Sequence, residues 1–418
     1  MLRRLFNTSV YISLSRAMTT GTNLAVMFFV SRFLGAEKLG AYGICFALMY
    51  LVYTLTSFNL EVVLGKEAAV CREDPQRMSD LYGNAVTAFL AGLLITLPVW
   101  GIAQWIYADL SPQLLALAAL CGLLLGLDMN LNGFLLGLER AGVETAVNLG
   151  SSLLLLFPLA IWPDHFGLTG VFALRAAGSA LGIAVKAVIM RPFRRKGSIA
   201  SRLDWFRDIR YYWLDHIAGY FLRQADILLL SFFVGLEELG VYFLALRIYL
   251  AVGILAEVGA RATVPFFSRT FHGMESIAMG KLLRRMLLIF SACGVLLGFI
   301  LATCGGWLIS LFRPALDSGG VWLRWLALAV PLRMGKFILS AFMSSSRYQK
   351  QQFLVHLFSA GTLVLLTIIL GVFFSTPGVL AARLASEAWG FVLATAVVFW
   401  RLPESRELRH NLRNVSGE

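Results

Sequence analysis

Runs of about 20 apolar residues, separated by short polar or glycine-bearing connections, follow one another along the whole chain. About 20 helical residues are needed to cross a hydrocarbon core of roughly 30 Å, so each run predicts a transmembrane helix. Twelve are predicted, at 10–31, 41–62, 82–106, 113–137, 143–163, 167–190, 211–234, 240–263, 284–312, 320–345, 352–374 and 377–400. Within them the apolar residues are continuous and do not alternate with period two, which predicts a helical bundle and not a barrel. The first run follows Arg3 and Arg4 as a signal peptide's would. It is long, carries Arg16 and lacks a small-residue cleavage site, so it is expected to be a retained helix.

A second pattern is superimposed on the first. Residues 31–42, SRFLGAEKLGAY, recur 200 positions later at 231–242 as SFFVGLEELGVY, with 7 of 12 positions identical. Such self-similarity marks a duplicated architecture. Six spans lie on either side of the basic stretch 191–210, and an even number returns the chain to its side of entry. The repeat is therefore expected to be parallel, with a pseudo-twofold axis along the membrane normal and a substrate path at the seam. The predicted organisation is an N-terminal six-helix lobe at 1–190, a basic cytoplasmic linker at 191–210, a C-terminal six-helix lobe at 211–400 and a basic tail at 401–418. The linker, running from Arg191 to Arg207, could lie on the cytoplasmic leaflet as an amphipathic stretch or serve as a plain charged connection. Within the repeated motif, Gly35, Gly40, Gly235 and Gly240 suit a tight turn between helices, with Tyr42 and Tyr242 as interfacial anchors.

Composition supports the membrane assignment. Of the 418 residues 58% are hydrophobic and 14% charged, against about 25% charged in a soluble domain. The net charge of +12 does not call for nucleic acid, because the basic residues are distributed by side. The connections on the side of the N-terminus hold 23 Lys and Arg residues, and the opposite side holds three, Arg32, Lys38 and Arg313. Cytoplasmic loops retain such residues, so both termini are expected in the cytoplasm. The five cysteines form no Cys-x-x-Cys pair and mostly fall in apolar runs, as packing residues do.

Ten cations remain inside the predicted spans: Arg16, Arg175, Lys186, Arg223, Arg247, Arg261, Arg324, Arg333, Lys336 and Arg383. At a lipid-exposed helix centre each costs about 2.5 to 3.5 kcal/mol, so they are expected to face a partner or a hydrated cavity. Arg383 with Glu387, and Arg223 with Asp226, are spaced for local ion pairs on one helix face. Lys186, Arg261 and Arg324 could snorkel to an interface. Arg247, Ile254, Glu257 and Arg261 share one helical stripe. Arg333 and Lys336 sit three apart beside Pro331, close enough to require an anion between them. Asp128 has no basic residue near it on its own helix. It could take up a proton or sodium ion, or pair with a cation on another helix.

The segment Arg32–Tyr42 resembles the opening signature of polysaccharide-biosynthesis membrane proteins, the Wzx-type O-antigen flippases. The second half is similar to their recurrent form: Asp226–Leu230 running to Gly235, then Leu239–Tyr242 and Ala245–Arg247. The resemblance implies membership of the multidrug/oligosaccharidyl-lipid/polysaccharide (MOP) exporter superfamily, an all-α, two-lobed bundle of twelve helices in the bacterial inner membrane. It implies outward transfer of an undecaprenyl-diphosphate-linked glycan, in the company of a polysaccharide polymerase and glycosyltransferases. Arg16, Arg175, Arg223, Arg247, Arg333 and Lys336 are then the expected cationic substrate-binding residues. Asp128, Asp226 and Glu257 are candidates for coupling to protons or sodium, and no cofactor or metal is expected. The alternatives are a cation-coupled drug or metabolite antiporter of the same superfamily, a membrane-embedded glycan polymerase or ligase, and a scaffold for glycosyltransferases. Outer connections of about ten residues or fewer, and the lack of nucleotide-binding or nucleophile motifs, weigh against an enzyme.

Overall fold

The computed structural model describes residues 2–72, 74–191, 204–270, 276–312, 317–345 and 348–401, and no strand occurs among them. In chain order the helices are α1 (Leu2–Phe29), α2 (Ala36–Thr56), α3 (Leu60–Val70), α4 (Pro75–Ile106), α5 (Pro112–Gly137), α6 (Ala141–Ile161) and α7 (Leu168–Ile189). There follow α8 (Asp204–Leu230), α9 (Leu236–Thr270), α10 (Ser276–Phe312), α11 (Asp317–Ala327), α12 (Val330–Ser345) and α13 (Gln349–Arg401). These accommodate the twelve predicted spans once three breaks are taken into account.

The second predicted span divides into α2 and α3 at Phe58 and Asn59, both in the left-handed region (φ 50° and 53°). The tenth divides into α11 and α12, bent by 46°. Pro331 lies in the first turn of α12, where its missing N–H is not needed. The eleventh and twelfth both lie in α13, which folds back at Ser375 (φ 50°, ψ −132°). An ideal Cβ on Gly378 would be 2.1 Å from the Leu370 carbonyl oxygen. A straight helix allows no such approach between residues eight apart. Other ends follow local chemistry. Asp74 caps α4 by accepting from the amides of Gln76 and Arg77 at 3.0 and 3.2 Å. Ser111 caps α5 ahead of Pro112.

Two compact units make up the chain, Met1–Tyr220 with Gly235–Phe243, and Phe221–Val234 with Leu244–Glu418. The division runs through α8 and α9 instead of falling at the basic stretch 191–210. Residues 192–203 of that stretch and the tail beyond 401 lie outside the described residues.

In the first unit α5 is the central element, and glycine explains why. Ideal Cβ atoms on Gly122, Gly133 and Gly137 would lie 2.3 Å from the Met49 carbonyl oxygen, 2.2 Å from that of Glu61 and 2.6 Å from that of Gly65. Glycine thus lets the α2 and α3 backbones approach α5 closely, the small-residue packing that lipid-embedded helices use. Leu60, Leu64, Met78, Ala85, Leu131, Phe134 and Leu135 fill the adjoining core between α3, α4 and α5. The second unit has a separate core of Phe267, Leu283, Ile338, Leu339, Phe342, Val355 and Val398. Phe267 meets Phe342 edge-on at 5.6 Å.

Large apolar side chains remain outside these cores. Leu94, Phe299 and Phe373 are 74%, 67% and 75% exposed. Apolar surface on this scale is stable only against lipid. Trp105, Trp307 and Trp400 are exposed near helix ends, where a tryptophan girdle meets the interface.

The repeated motif proves to be a crossing as well as a turn. Gly35 takes φ 94° and makes a turn. Gly40 and Gly240, however, sit inside the first turns of α2 and α9 and face each other. An ideal Cβ on Gly40 would be 1.9 Å from the Leu236 carbonyl oxygen, and one on Gly240 would be 2.2 Å from that of Ala36. Tyr42 and Tyr242 are fully buried, not interfacial anchors, because this helix crossing covers them. The Tyr42 ring packs against Phe172 at 5.5 Å and Phe243 at 5.9 Å.

Candidate functional site

Each unit carries a set of buried charges linking its own helices. In the first unit Lys186 on α7 is fully buried and donates to Asp128 Oδ1 on α5 at 2.5 Å. Lys186 therefore does not snorkel, and Asp128 takes the cross-helix partner instead of standing ready as a bare ion site. A buried lysine is stable only when paired. Gly182, one turn earlier on α7, lies beside the pair, its ideal Cβ falling in ordinary contact range of Asp128 Oδ1 at 3.5 Å.

Arg175, also on α7, is held differently. Its Nη2 donates to Asn23 Oδ1 on α1 at 2.9 Å and to the Tyr42 hydroxyl on α2 at 3.2 Å. The guanidinium lies over the Phe46 ring at 5.8 Å. Both acceptors are neutral, and no carboxylate among the described residues pairs with Arg175. Its Nε is buried without a hydrogen-bond partner. Cation–π contact and neutral acceptors offset part of the desolvation cost but leave the charge uncompensated.

The second unit repeats both linkages with different groups. Arg383 on α13 is fully buried and donates through Nε to Asp226 Oδ2 on α8 at 3.1 Å, through Nη2 to the same oxygen, and through Nη1 to the Leu222 carbonyl. Glu387, one turn further along α13, accepts at Oε1 from Arg333 Nη1 at 2.8 Å and from the Tyr249 hydroxyl at 3.3 Å. Its Oε2 accepts from Lys336 Nζ. The Arg333 guanidinium lies between the rings of Tyr249 and Phe337, 5.3 Å from each. Gly253, one turn after Tyr249 on α9, leaves space for it, its ideal Cβ being 2.8 Å from Arg333 Nε.

These contacts revise the local pairs that helical spacing suggests. Asp226 is engaged by Arg383 and not by Arg223 three residues away, and Glu387 is engaged by Arg333 and Lys336. The reason is packing: each carboxylate faces cations on a neighbouring helix inside the core, where an unpaired buried charge is costly and the cross-helix pair is retained. The anion needed between Arg333 and Lys336 is thus partly supplied by the protein. Two cations share one carboxylate, and one positive charge remains.

Of the other expected residues, Arg247 donates to Gln224 Oε1 on α8, and Arg16, Arg223 and Glu257 are half-buried on α1, α8 and α9. The side chain of Arg261 lies outside the described residues, and Arg324 is exposed. The structure therefore brings Arg333 and Lys336 together, places Arg175 and Asp128 in the first unit, and places Asp226, Arg247 and Glu257 in the second. Reading the sequence missed Glu387 as a centre, together with its partner Tyr249 and the neutral acceptors Asn23 and Gln224. A lone acid in the last apolar span was the one available signal for Glu387.

Several solved structures share the fold. An inward-facing multidrug resistance MATE family transporter of the MOP superfamily is 17% identical, with 94% of this chain and 97% of that one covered and a TM-score of 0.76. An outward-facing MATE transporter is 15% identical, with 97% and 96% covered and a TM-score of 0.72. A MOP superfamily transporter from Pyrococcus furiosus, with a binding pocket of reverse polarity, is 15% identical, with 96% and 95% covered and a TM-score of 0.68. At these identities the likeness establishes architecture: an all-α polytopic membrane protein of twelve transmembrane helices. No curated protein sequence matches significantly. Residues 5–271 match the model of the polysaccharide biosynthesis protein family. The chain belongs to the polysaccharide biosynthesis protein family and has the fold of the MOP superfamily transporters.

Proposed function

We propose that the protein is a flippase that moves an undecaprenyl-diphosphate-linked oligosaccharide from the cytoplasmic to the periplasmic leaflet of a bacterial inner membrane, with both termini in the cytoplasm. The observation that carries this reading is the surplus of positive charge within the helix packing, half-buried at Arg175 and Arg333 and buried at Lys336. Arg175 has only neutral partners, and Arg333 and Lys336 share Glu387. A diphosphate is the complementary cargo, because guanidinium groups bind phosphate oxygens bidentately and stay charged in any plausible setting. Arg16, Arg223 and Arg247 would add to the attraction, while the polyprenyl tail stays in lipid. Alternating access between the halves would then expose the head group on the far side, where a polymerase acts on it, with glycosyltransferases supplying it on the near side.

The family description agrees with glycan cargo. Multidrug transporters share the fold, but the reverse-polarity pocket of the Pyrococcus furiosus relative is linked to a different function, so the fold is not tied to drugs. A drug antiporter with cationic substrates would need acidic or apolar walls, which the surplus arginines oppose. In proteoliposomes loaded with lipid-linked glycan, Arg175→Ala and Arg333→Ala are expected to slow translocation at least tenfold, with membrane levels unchanged. Wild-type rates in both variants would remove the site, and drug efflux from a susceptible host without glycan movement would establish the antiporter.

A further inference from the structure

Phe58 and Asn59, at the break between α2 and α3, are the one adjacent pair of non-glycine residues with positive φ among the described residues. Left-handed backbone disfavours any residue that carries a Cβ, a bulky aromatic residue strongly so. Such a conformation persists only where its surroundings impose it, and segments that switch are where it collects. Phe58 and Leu60 are 7% and 2% exposed, so packing and not water has to cover the interrupted backbone.

Two helices cover it, by different means. On α5, Gly126 faces the Thr56 hydroxyl before the break and Gly133 the Glu61 carbonyl after it, so contact there is a matter of shape. The first half of α8 is tied on by directional bonds. Trp213 Nε1 donates at 3.3 Å to the carbonyl of Thr54, in the last turn of α2, where a helix leaves its own carbonyls open. The Trp213 ring packs on Phe58 at 5.2 Å. Asn59 Nδ2 donates in return to the Tyr212 carbonyl at 3.1 Å, and Lys66 Nζ donates to the Tyr212 hydroxyl at 3.0 Å. Further along, the His216 ring meets Tyr53 edge-on at 5.1 Å, and the Tyr220 hydroxyl donates to the Ala47 carbonyl at 3.1 Å. From Phe221 onward α8 belongs to the second unit, where its Leu222 carbonyl and Asp226 hold Arg383. Thr54 Oγ1 and Asn130 Oδ1 are buried without hydrogen-bond partners, and each residue is 1% exposed. Asn130 lies four residues after Gly126 and three before Gly133, on the α5 face toward the break. The bent joint thus keeps idle polar groups as well as strain.

We infer that this break is a latch, held bent by the first half of α8 and released to right-handed backbone when α8 withdraws. Withdrawal takes the Trp213 donor from the Thr54 carbonyl, and the next donor in reach is the amide of Phe58, four residues on, once that segment turns helical. The same change relieves the left-handed pair, so strain drives release and the α8 bonds oppose it. Because α8 is shared between the units, a movement of its second half pulls on the seam at Tyr212 and Trp213. The latch rests on this geometry and not on the cargo. Its use in transport rests on the translocation reading above, under which the latch opens and closes once in each cycle.

Distances between paired spin labels in the purified full-length protein test the latch. The labels go on Lys38→Cys in α2 and Val70→Cys in α3, both exposed positions, with exposed Cys293 and Cys304 replaced through Cys293→Ser and Cys304→Ser. A continuous helix between the labels would span about 48 Å, at roughly 1.5 Å per residue, and the bent joint is expected to give one shorter distance. Trp213→Phe keeps a ring against Phe58 but loses the N–H, and is expected to add the longer distance. Asn59→Ala and Asn59→Gly both lose the bond to Tyr212. The alanine variant is expected to show at least twice the longer population, since glycine accepts left-handed backbone freely. The shorter distance alone in both Trp213→Phe and Asn59→Ala overturns the latch, and equal populations in the two Asn59 variants overturn strain as its drive. In proteoliposomes carrying lipid-linked glycan, a cleavable cross-link between Lys66→Cys and Tyr212→Cys is expected to slow translocation at least tenfold until it is cut. An undiminished rate in the cross-linked protein overturns the role in transport. An inert wild type overturns the translocation reading, while the label distances still decide the latch.

Discussion

The two units solve the same problem, holding ionised groups inside a lipid-embedded bundle, with their charges exchanged. In the first, the α5–α7 link is a neutral pair, Asp128 with Lys186, and the link from α7 to α1 is the surplus cation Arg175 on Asn23. In the second, the corresponding α12–α13 link carries the surplus, Lys336 and Arg333 on Glu387, and the α13–α8 link is the neutral pair Arg383 with Asp226. Lys186 and Glu387 are 201 residues apart, one off the period of the repeat, and have opposite signs. The two units thus share which helices are joined by these charges but not the sign at each end. Such pairs contribute register and specificity more than net stability, so either polarity can serve. Both units keep a cation in excess at these links, which the proposed anionic cargo would complement.

The largest test of this comparison is Glu387→Gln, which leaves half-buried Arg333 and buried Lys336 without an anion. A loss of about 3–5 kcal/mol is expected in denaturant melts of the purified protein, and a loss below about 1 kcal/mol would show that water already compensates the cluster. Next, Asp128→Asn strands fully buried Lys186 at about 3 kcal/mol. The swapped double variant Asp128→Lys with Lys186→Asp should recover at least half of that, because the second unit already carries the reversed polarity. No recovery in a double-mutant cycle would mean the sign is fixed by the surroundings of the pair.

The crossing between α2 and α9 gives a smaller effect. Gly40→Ala places a methyl group against the Leu236 carbonyl and should cost about 1–3 kcal/mol. By contrast Gly235→Ala, at the other glycine of the motif and with open space around the new Cβ, should stay within about 0.5 kcal/mol. Equal effects would mean the crossing is not tight. The smallest stability change is expected for Arg175→Gln, within about 1 kcal/mol, since it removes a charge that no anion balances. Translocation should nonetheless fall at least tenfold, and a stability loss as large as that of Glu387→Gln would make Arg175 a structural residue.

Much of the bundle is legible in the sequence, because hydrophobic run length is a direct response to bilayer thickness. The break at Ser375 separates two spans that the pattern already ends at 374 and resumes at 377. The charged interior was legible only as a list. Arg333 and Lys336 three apart declare that an anion is needed, but its source, Glu387 more than 50 residues later, cannot be read from spacing. The spacings that could be read, Arg223 with Asp226 and Arg383 with Glu387, proposed local partners where the structure supplies distant ones. Gly40 and Gly240 show the same limit. Glycine signals a close approach or a turn alike, and the motif uses Gly35 for one and Gly40 for the other.

By itself the sequence determined that this chain lies in a membrane, that it is built of helices and that its second half repeats its first. Those properties depend on free energy per residue and on period, which are local sums along the chain. The tertiary structure alone decided which charges neutralise one another and which remain. That outcome is set by distances of about 3 Å between side chains on different helices, where a shift of one turn exchanges a neutral pair for a surplus cation.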